Sequence, residues 1–443
     1  MSEIAGALRA IMVRATGVDA PVVNLTRLSG GANMESSSFD YAGQGYVLRR
    51  APSAAFMEGR IFGHDVEAAL VRAARAGGVL APVVVAELAN ADGIGTGYVM
   101  RRVEAEVNPA HILANPPPSL IADIARELAR IHAIRPREDI AIAHMDTAAA
   151  LTELKSRFMT YGGDRPIIAL ALRWCEDHLP PPTEPVLVHG DFRMGNLMVD
   201  ANGLAAVLDW ELAHWGDAHE DLAYGCMAVW RFGHYNRPAF GVADLESYFA
   251  AYEAESGTKV DRGRFRFWLV YRTLWWALGC LQMAEIWRSG TDRSLERAVI
   301  GRRTSENEID LLLLLEADAP EAERGAVTEE PSAEVRRAGE PSQTEMLEAI
   351  REWIDRDIKA KAAGRDKFMA AVAMNALGML IRDNENPTDP HEKGLSADLL
   401  EGRASLATPG LLSRLRKSAL TKLANDGPKY ASLAAARKSW LHP

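Results

Sequence analysis

Cysteine is scarce. Cys175, Cys226 and Cys280 are the only ones in 443 residues, and they stand far apart. An odd, scattered set gives neither a disulfide framework nor metal-ligand spacing, so buried free thiols in a reducing cytosol are expected. An excess of positive charge is missing too: 60 Asp and Glu against 50 Lys and Arg give a net charge of −10. Domains that grip nucleic acid are usually basic, which argues against a general nucleic-acid binder but leaves room for a local basic pocket for phosphates or CoA. No apolar run approaches the length of a membrane span; Leu311–Leu315 is only a helix stripe. The first residues, MSEIAGALRAIMVRATG, lack the apolar core and cleavage site of a signal peptide and read as a short amphipathic helix. A cytoplasmic protein with no membrane partner is therefore expected. Repeats are absent as well. What is present, 48% apolar and 25% charged residues, is ordinary for globular protein, and the length suffices for two or three domains.

The chemistry concentrates in one stretch, VLVHGDFRMGNLMVDANGLAAVLDWELAHWGDAHEDLAY, from Val186 to Tyr224. Val186–Val188 and Leu204–Leu208 have the length and branching of short buried strands. Between them, Asp200-Ala-Asn-Gly203 is turn chemistry. The stretch reads as strand, tight loop, strand, turn, strand, with its carboxylates at strand ends. Phosphoryl transfer needs a base beside the attacking hydroxyl and oxygen ligands for Mg²⁺ on the phosphates. Asp191 is the candidate base. Asn196, five positions on, offers an amide oxygen and Asp209 a carboxylate; a hard cation prefers that set.

The motifs HGDFRMGNLMV, LDWELAHWGDAHEDLAY, LSGGANMESSSFDY and YVLRRAP resemble the aminoglycoside phosphotransferase-like kinase family. Within it they look like the branch that includes the kinase portion of certain acyl-CoA dehydrogenase fusion proteins. The resemblance covers about residues 20–315. It implies a bilobal, protein-kinase-like α+β fold with a five-stranded antiparallel N-lobe sheet and a mostly helical C-lobe. It also implies ATP and Mg²⁺ as cofactors, a hydroxyl acceptor, and a role for each matching residue. Gly30, Gly31 and Asn33 form a strand-flanked loop able to lie over phosphates; alone, such a loop is an ordinary hairpin. Where Met34 stands, relatives often carry a basic residue. Arg49, on the strand GYVLRR, takes the place of the cation that reaches the α/β-phosphates, and its fork suits phosphate. Glu67 is the candidate partner of that cation, although Ala69 occupies a position where some relatives carry the Glu and a solvent-facing Glu67 stays open. Met100, Arg101 and Val103 would form the adenine hinge.

Around the centre, His189 is expected to orient the loop and Gly195 to permit its turn. Arg193 either meets an anionic substrate or holds the loop shape. Trp210 reads as a packing residue, Asp217 as a helix N-cap and Asp221 as a brace of the loop. His132 lies on the apolar face of a helix predicted over 116–134 and reads as a packed structural side chain. Other helices are predicted over 58–76, 147–161, 165–178, 245–255, 265–287 and 291–316. An aromatic stripe at helical spacing is usually core; Trp268, Arg272, Trp275 and Trp276 are retained as candidate substrate contacts.

The expected division is an N-lobe at 1–103, a C-lobe at 104–316, a linker at 317–342 rich in Pro, Glu and Ala, and an all-α domain at 343–443. That last domain would open on the capping box Ser342-Gln-Thr-Glu345, carries no catalytic constellation, and leaves a protein partner open. The expected activity is transfer of the ATP γ-phosphoryl group to a hydroxyl of a small metabolite, with a hydroxyacyl-CoA implied by the branch resemblance. The alternatives are an aminoglycoside or amino-alcohol kinase, which wants an acidic cleft, and a catalytically weak nucleotide-binding module.

Overall fold

The computed structural model describes residues 2–28, 34–53, 57, 59–291, 295–326, 328, 343–387 and 394–441. Strands β1 (Val22–Arg27), β2 (Glu35–Tyr41), β3 (Gln44–Ala51), β4 (Val84–Glu87) and β5 (Thr96–Arg101) form an antiparallel sheet in the order β1-β2-β3-β5-β4. Alternation along β2 and β3 sends Phe39, Tyr41, Tyr46 and Leu48 to one face. There they close a small core with Leu8, Ile11 and Met12 of the first helix, Ser2–Thr16. Arg49 lies in the middle of β3, opposite Ser36 on β2 and Tyr98 on β5. The helix His64–Ala76 follows. It starts later than predicted, at the extended cap residue Gly63, and the reading of residue 58 lies outside the described residues.

The second lobe is mostly helical, and the fold is bilobal, α+β and kinase-like. Leu120–His132 is shorter at both ends than predicted and buries Leu120, Ile124, Leu128 and Ile131 at helical spacing; the proline run before it holds off its first turn. The stretch Val186–Tyr224 holds the three expected strands, β6 (Val186–Val188), β7 (Leu197–Asp200) and β8 (Gly203–Val207), and a fourth that the sequence reading did not include, β9 (His214–Gly216). β6 pairs with β9, and β7 with β8. Behind them run Ala218–Tyr224 and the long helix Arg262–Arg288. The helix predicted over 291–316 is two, Leu295–Arg302 and Thr304–Leu315. No helix among the described residues is long and apolar enough to cross a membrane.

The stretch expected as a linker from 317 opens with short helical turns at Glu316–Asp318 and Glu321–Arg324; further along, the helices Leu411–Asp426 and Ala431–Trp440 pack on Thr304–Leu315. Leu411, Leu415, Leu423, Leu433 and Trp440 belong to the same buried cluster as Ile309, Leu312 and the large-lobe core. Polar contacts follow the same seam. Arg416 and Trp440 both reach Glu316 at 2.7 Å, and Ser396 donates to Asp164 at 2.8 Å. Ser342, the first residue of the expected capping box, lies outside the described residues.

Candidate active site

The loop after β6 is held from below. Both oxygens of Asp221, which is fully buried, accept backbone N–H groups: His189 at 2.6 Å and Gly190 at 2.9 Å. His132 Nε2 stands 3.4 Å from the same carboxylate, and Tyr252 lies 2.8 Å from His132 Nδ1. The buried His132 thus sits in a polar cluster under the loop and not at a reacting surface. Gly190 has φ +80°, and a Cβ there would stand 2.3 Å from the Leu212 carbonyl oxygen, so only glycine fits. His189 is buried, and burial pushes its pKa below the ordinary histidine value although Asp221 and Asp191 pull the other way. Neutral, it donates from Nε2 to the Leu208 carbonyl at 3.1 Å and accepts the Asp191 N–H at Nδ1 at 3.2 Å. The ring thereby ties the catalytic loop to the strand that leads to Asp209.

Asp191 is gripped at both oxygens. Arg193 Nε donates to Oδ1 at 2.9 Å, and Asn196 Nδ2 to Oδ2 at 2.6 Å. The same amide nitrogen donates to the Asp191 carbonyl at 2.9 Å. Tyr224 also hydrogen-bonds Asp191; burial first, then that carboxylate, raises the phenol pKa well above the ordinary value. The Asp-to-Asn spacing therefore closes one turn, a 3₁₀ segment at Met194–Asn196, and Asn196 Oδ1 is left for another partner. The backbone N–H of Leu208 bonds the Asn196 carbonyl at 2.8 Å, which brings Asp209 alongside. Asp209 has φ +66°, a left-handed conformation that Asp tolerates better than most residues.

Arg49 crosses from the small lobe to this point. Its Nε lies 3.0 Å from Glu67, and one terminal nitrogen reaches Asp209 at 2.7 Å and Glu211 at 2.8 Å. Burial opposes the charge, but Asp209 and Glu67 outweigh it and raise the arginine pKa. Glu67 is 1% exposed and also accepts the Tyr98 hydroxyl at 3.1 Å. The uncertainty over Glu67 thus ends in an ion pair with Arg49. Arg60 adds a second guanidinium, 3.1 Å from Glu211 and 3.4 Å from Glu67. Burial and the neighbouring Asp209 raise the Glu211 pKa.

Other candidates fall differently. Gly30, Gly31 and Asn33 lie outside the described residues. At the hinge, the Arg101 N–H goes to Val83 and the Arg102 N–H to Gly45. Val103 N–H makes no backbone bond among the described residues, and Met100 pairs with Val47. Asp217 caps its helix, accepting the His219 N–H at 2.9 Å, and also holds Arg264 at 2.7 Å. Two substrate candidates are corrected. Trp268 is fully buried, with its indole N–H on Asp217 at 2.9 Å. Arg272 is 4% exposed, and its two terminal nitrogens go to the Gly190 carbonyl and to Glu220. Arg272 supports the loop from behind and Trp268 the cap of the helix that follows it, because this face of their helix turns into the core. Trp275 and Trp276 remain half-buried. Sequence reasoning passed over Glu211, Arg60, Tyr98 and Tyr224. A carboxylate two residues after Asp209 was a readable signal for Glu211; Arg60 offered none.

The donor set fits a divalent hard cation. Asn196 Oδ1 and the Asp209 carboxylate are oxygen ligands on neighbouring hairpins, and the Asp209 side chain is 29% exposed. No cluster of three or more His, Cys, Asp or Glu suited to a metal occurs among the described residues.

A small lobe whose Arg49 pairs with Glu67, set over an Asp, Asn and Asp grouping in a helical lobe, defines a kinase-like phosphotransferase. Residues 24–268 match the model of the phosphotransferase enzyme family, and the chain belongs to that family. Among curated proteins it is similar to acyl-CoA dehydrogenase family member 10 of Mus musculus, 35% identical over 98 residues, 20% of this chain. It is also similar to acyl-CoA dehydrogenase family member 11 of Gallus gallus, 41% identical over 64 residues, 14% of this chain. The matched stretches make up only 9% and 8% of those relatives. Among solved structures, one assigned to the aminoglycoside phosphotransferases of Ralstonia eutropha JMP134 superposes with a TM-score of 0.57 at 22% identity, covering 70% of this chain and 98% of that one. A thermostable mutant of aminoglycoside phosphotransferase APH(4)-Ia, solved with AMP-PNP and hygromycin B, gives 0.50 at 18% identity over 71% and 99%. These likenesses carry the fold.

Proposed function

We propose that this phosphotransferase moves the γ-phosphoryl group of ATP to a hydroxyl of a small metabolite, with a hydroxyacyl-CoA or a related hydroxy compound as acceptor. The observation that carries the reading is the double grip on Asp191: Arg193 and Asn196 aim one carboxylate, and the Asn196 turn brings Asp209 and its Arg49 link beside it. Asp191 accepts or orients the proton of the attacking hydroxyl. Asn196 and Asp209 would hold Mg²⁺, which neutralises phosphate charge when bound. Arg49 bonds Asp209 and Glu67 together; a nucleotide phosphate would draw the fork from Asp209 while Glu67 keeps it in place. Positioning and charge neutralisation then supply most of the rate. The similarity to acyl-CoA dehydrogenase family members supports the acyl acceptor.

The test is Asp191→Asn, assayed with ATP-Mg against hydroxyacyl-CoAs, sugars and amino alcohols. A loss of about 10²- to 10⁴-fold in transfer, with an unchanged thermal midpoint, is expected. Undiminished transfer in a folded variant would refute the base assignment.

A further inference from the structure

We propose that Arg193, Trp230 and Trp276 form an acceptor subsite that reads an acyl oxygen close to the phosphorylated hydroxyl and turns away acceptors bearing an ammonium there. The inference rests on the phosphotransferase reading and narrows its acceptor.

Arg193 is pinned twice. Its Nε is spent on Asp191 at 2.9 Å, and its guanidinium carbon lies 4.4 Å from the centre of the Trp230 ring. Its side chain is 24% exposed, and its two terminal nitrogens make no hydrogen bond among the described residues. The charged fork therefore stands beside the base with donors to spare. Trp230 is 6% exposed, and its indole N–H has no acceptor among the described residues. The Trp276 ring lies 5.1 Å away, and its indole N–H is equally orphaned. A buried donor without a partner costs about 1–3 kcal/mol, and folded proteins rarely leave one so. Two orphans beside a half-free guanidinium mark a place where an acceptor atom belongs.

The chemistry of the three groups decides what fits. A guanidinium and an indole N–H donate and accept nothing. An ammonium also only donates, and it would face the Arg193 charge. Behind the two rings, Arg157 is offset by Glu153 at 3.5 Å and Arg272 by Glu220 at 3.1 Å, so the unmatched donors are those of Arg193 and the two indoles. The carboxylate beside Arg193, Asp191, already holds Arg193 and Asn196. An acyl oxygen, from a carboxylate or from a thioester carbonyl, supplies the missing acceptor, and the fork suits a carboxylate best.

The full chain would be assayed with ATP-Mg on four acceptors of one length: 3-hydroxypropanoate, its pantetheine thioester, 1,3-propanediol and 3-aminopropan-1-ol. The acid or the thioester is expected to exceed the amine in kcat/KM by about tenfold or more, and which of the two leads identifies the source of the oxygen. Arg193→Gln, and Trp230→Phe, which removes the N–H together with the five-membered part of the ring, should each shrink that preference in kcat/KM. A preference that is reversed or unaltered by both variants overturns the subsite. Because Arg193 also aims Asp191, Arg193→Gln should lower kcat for all four acceptors, so the subsite is judged on the ratio of acid or thioester to amine and on Trp230→Phe, which leaves the Asp191 contact in place. Calorimetric titration of acid and amine into the protein with ADP-Mg gives a readout without turnover. Tighter acid binding that weakens in Arg193→Gln supports the subsite; amine binding as tight as acid sinks it. Acid binding with no transfer to any acceptor would count against the phosphotransferase reading alone.

Discussion

At the scale of single residues, Glu67 shows what a sequence can and cannot give. Residues 67 and 69 of a helix point about 200° apart, so only one can face β3. The phase is set by the helix start at Gly63, and helix starts are poorly legible. Composition near that start did not decide between Glu67 and the position of Ala69. The fold does, because the Glu67 carboxylate meets both Arg49 and Tyr98. If the pair holds Arg49 ready for phosphate, Glu67→Gln should raise the KM for ATP, and lower kcat/KM by about 10- to 100-fold, worth roughly 1.4–3 kcal/mol. The Asp209 and Glu211 contacts to Arg49 would remain. A variant whose ATP kinetics match the parent would remove Glu67 from the nucleotide site. Asp191, Asn196 and Asp209 were legible because the motif that carries them is short and local. Arg60 and Tyr98 were not, since each reaches the site only through tertiary packing.

At the scale of elements, short strands bounded by turn residues were legible, and helix ends were not. The predicted helix over 291–316 breaks at Arg303, a residue with nothing in its chemistry to announce a stop. Its second half, Thr304–Leu315, carries a polar residue that apolar periodicity hides. Asp310 is buried, and burial pushes its pKa up to about 7, although Ser432 and Tyr430 hydrogen-bond it. The folded carboxyl therefore binds its proton more tightly than the unfolded one. Its stabilising effect is complete below the unfolded value near 3.8 and is lost as pH rises through about 7. Asp310→Asn keeps a neutral side chain there. In urea unfolding the variant should lose the fall in stability between about pH 4 and pH 7 and exceed the parent by a few kcal/mol at pH 8. A parent and variant with parallel pH profiles would show that Asp310 stays ionised.

At the scale of the whole molecule, the question is whether the helices after the linker are a separate unit. Sequence reading made them one because the stretch from Glu316 to Ser342 is polar and proline-bearing, and polarity says nothing about where the following helices dock. Their apolar faces enter the large-lobe cluster: Leu411, Leu415, Leu423 and Trp440 lie against a core that contains Ile309, Leu312 and Leu315. Burying each such side chain is worth about 1.5–3 kcal/mol, against a net stability of about 5–15 kcal/mol for a typical fold. A chain ending at 342 should therefore expose the Thr304–Leu315 face and aggregate. Trp440→Ala should keep the fold but lose about 3–5 kcal/mol, because it removes the ring under Arg416 and the bond to Glu316. Urea unfolding of the full chain should show one transition, shifted as a whole in the variant. Two transitions, with only the weaker one moved by Trp440→Ala, would mean that the C-terminal helices fold by themselves and that the shared core is a docking face.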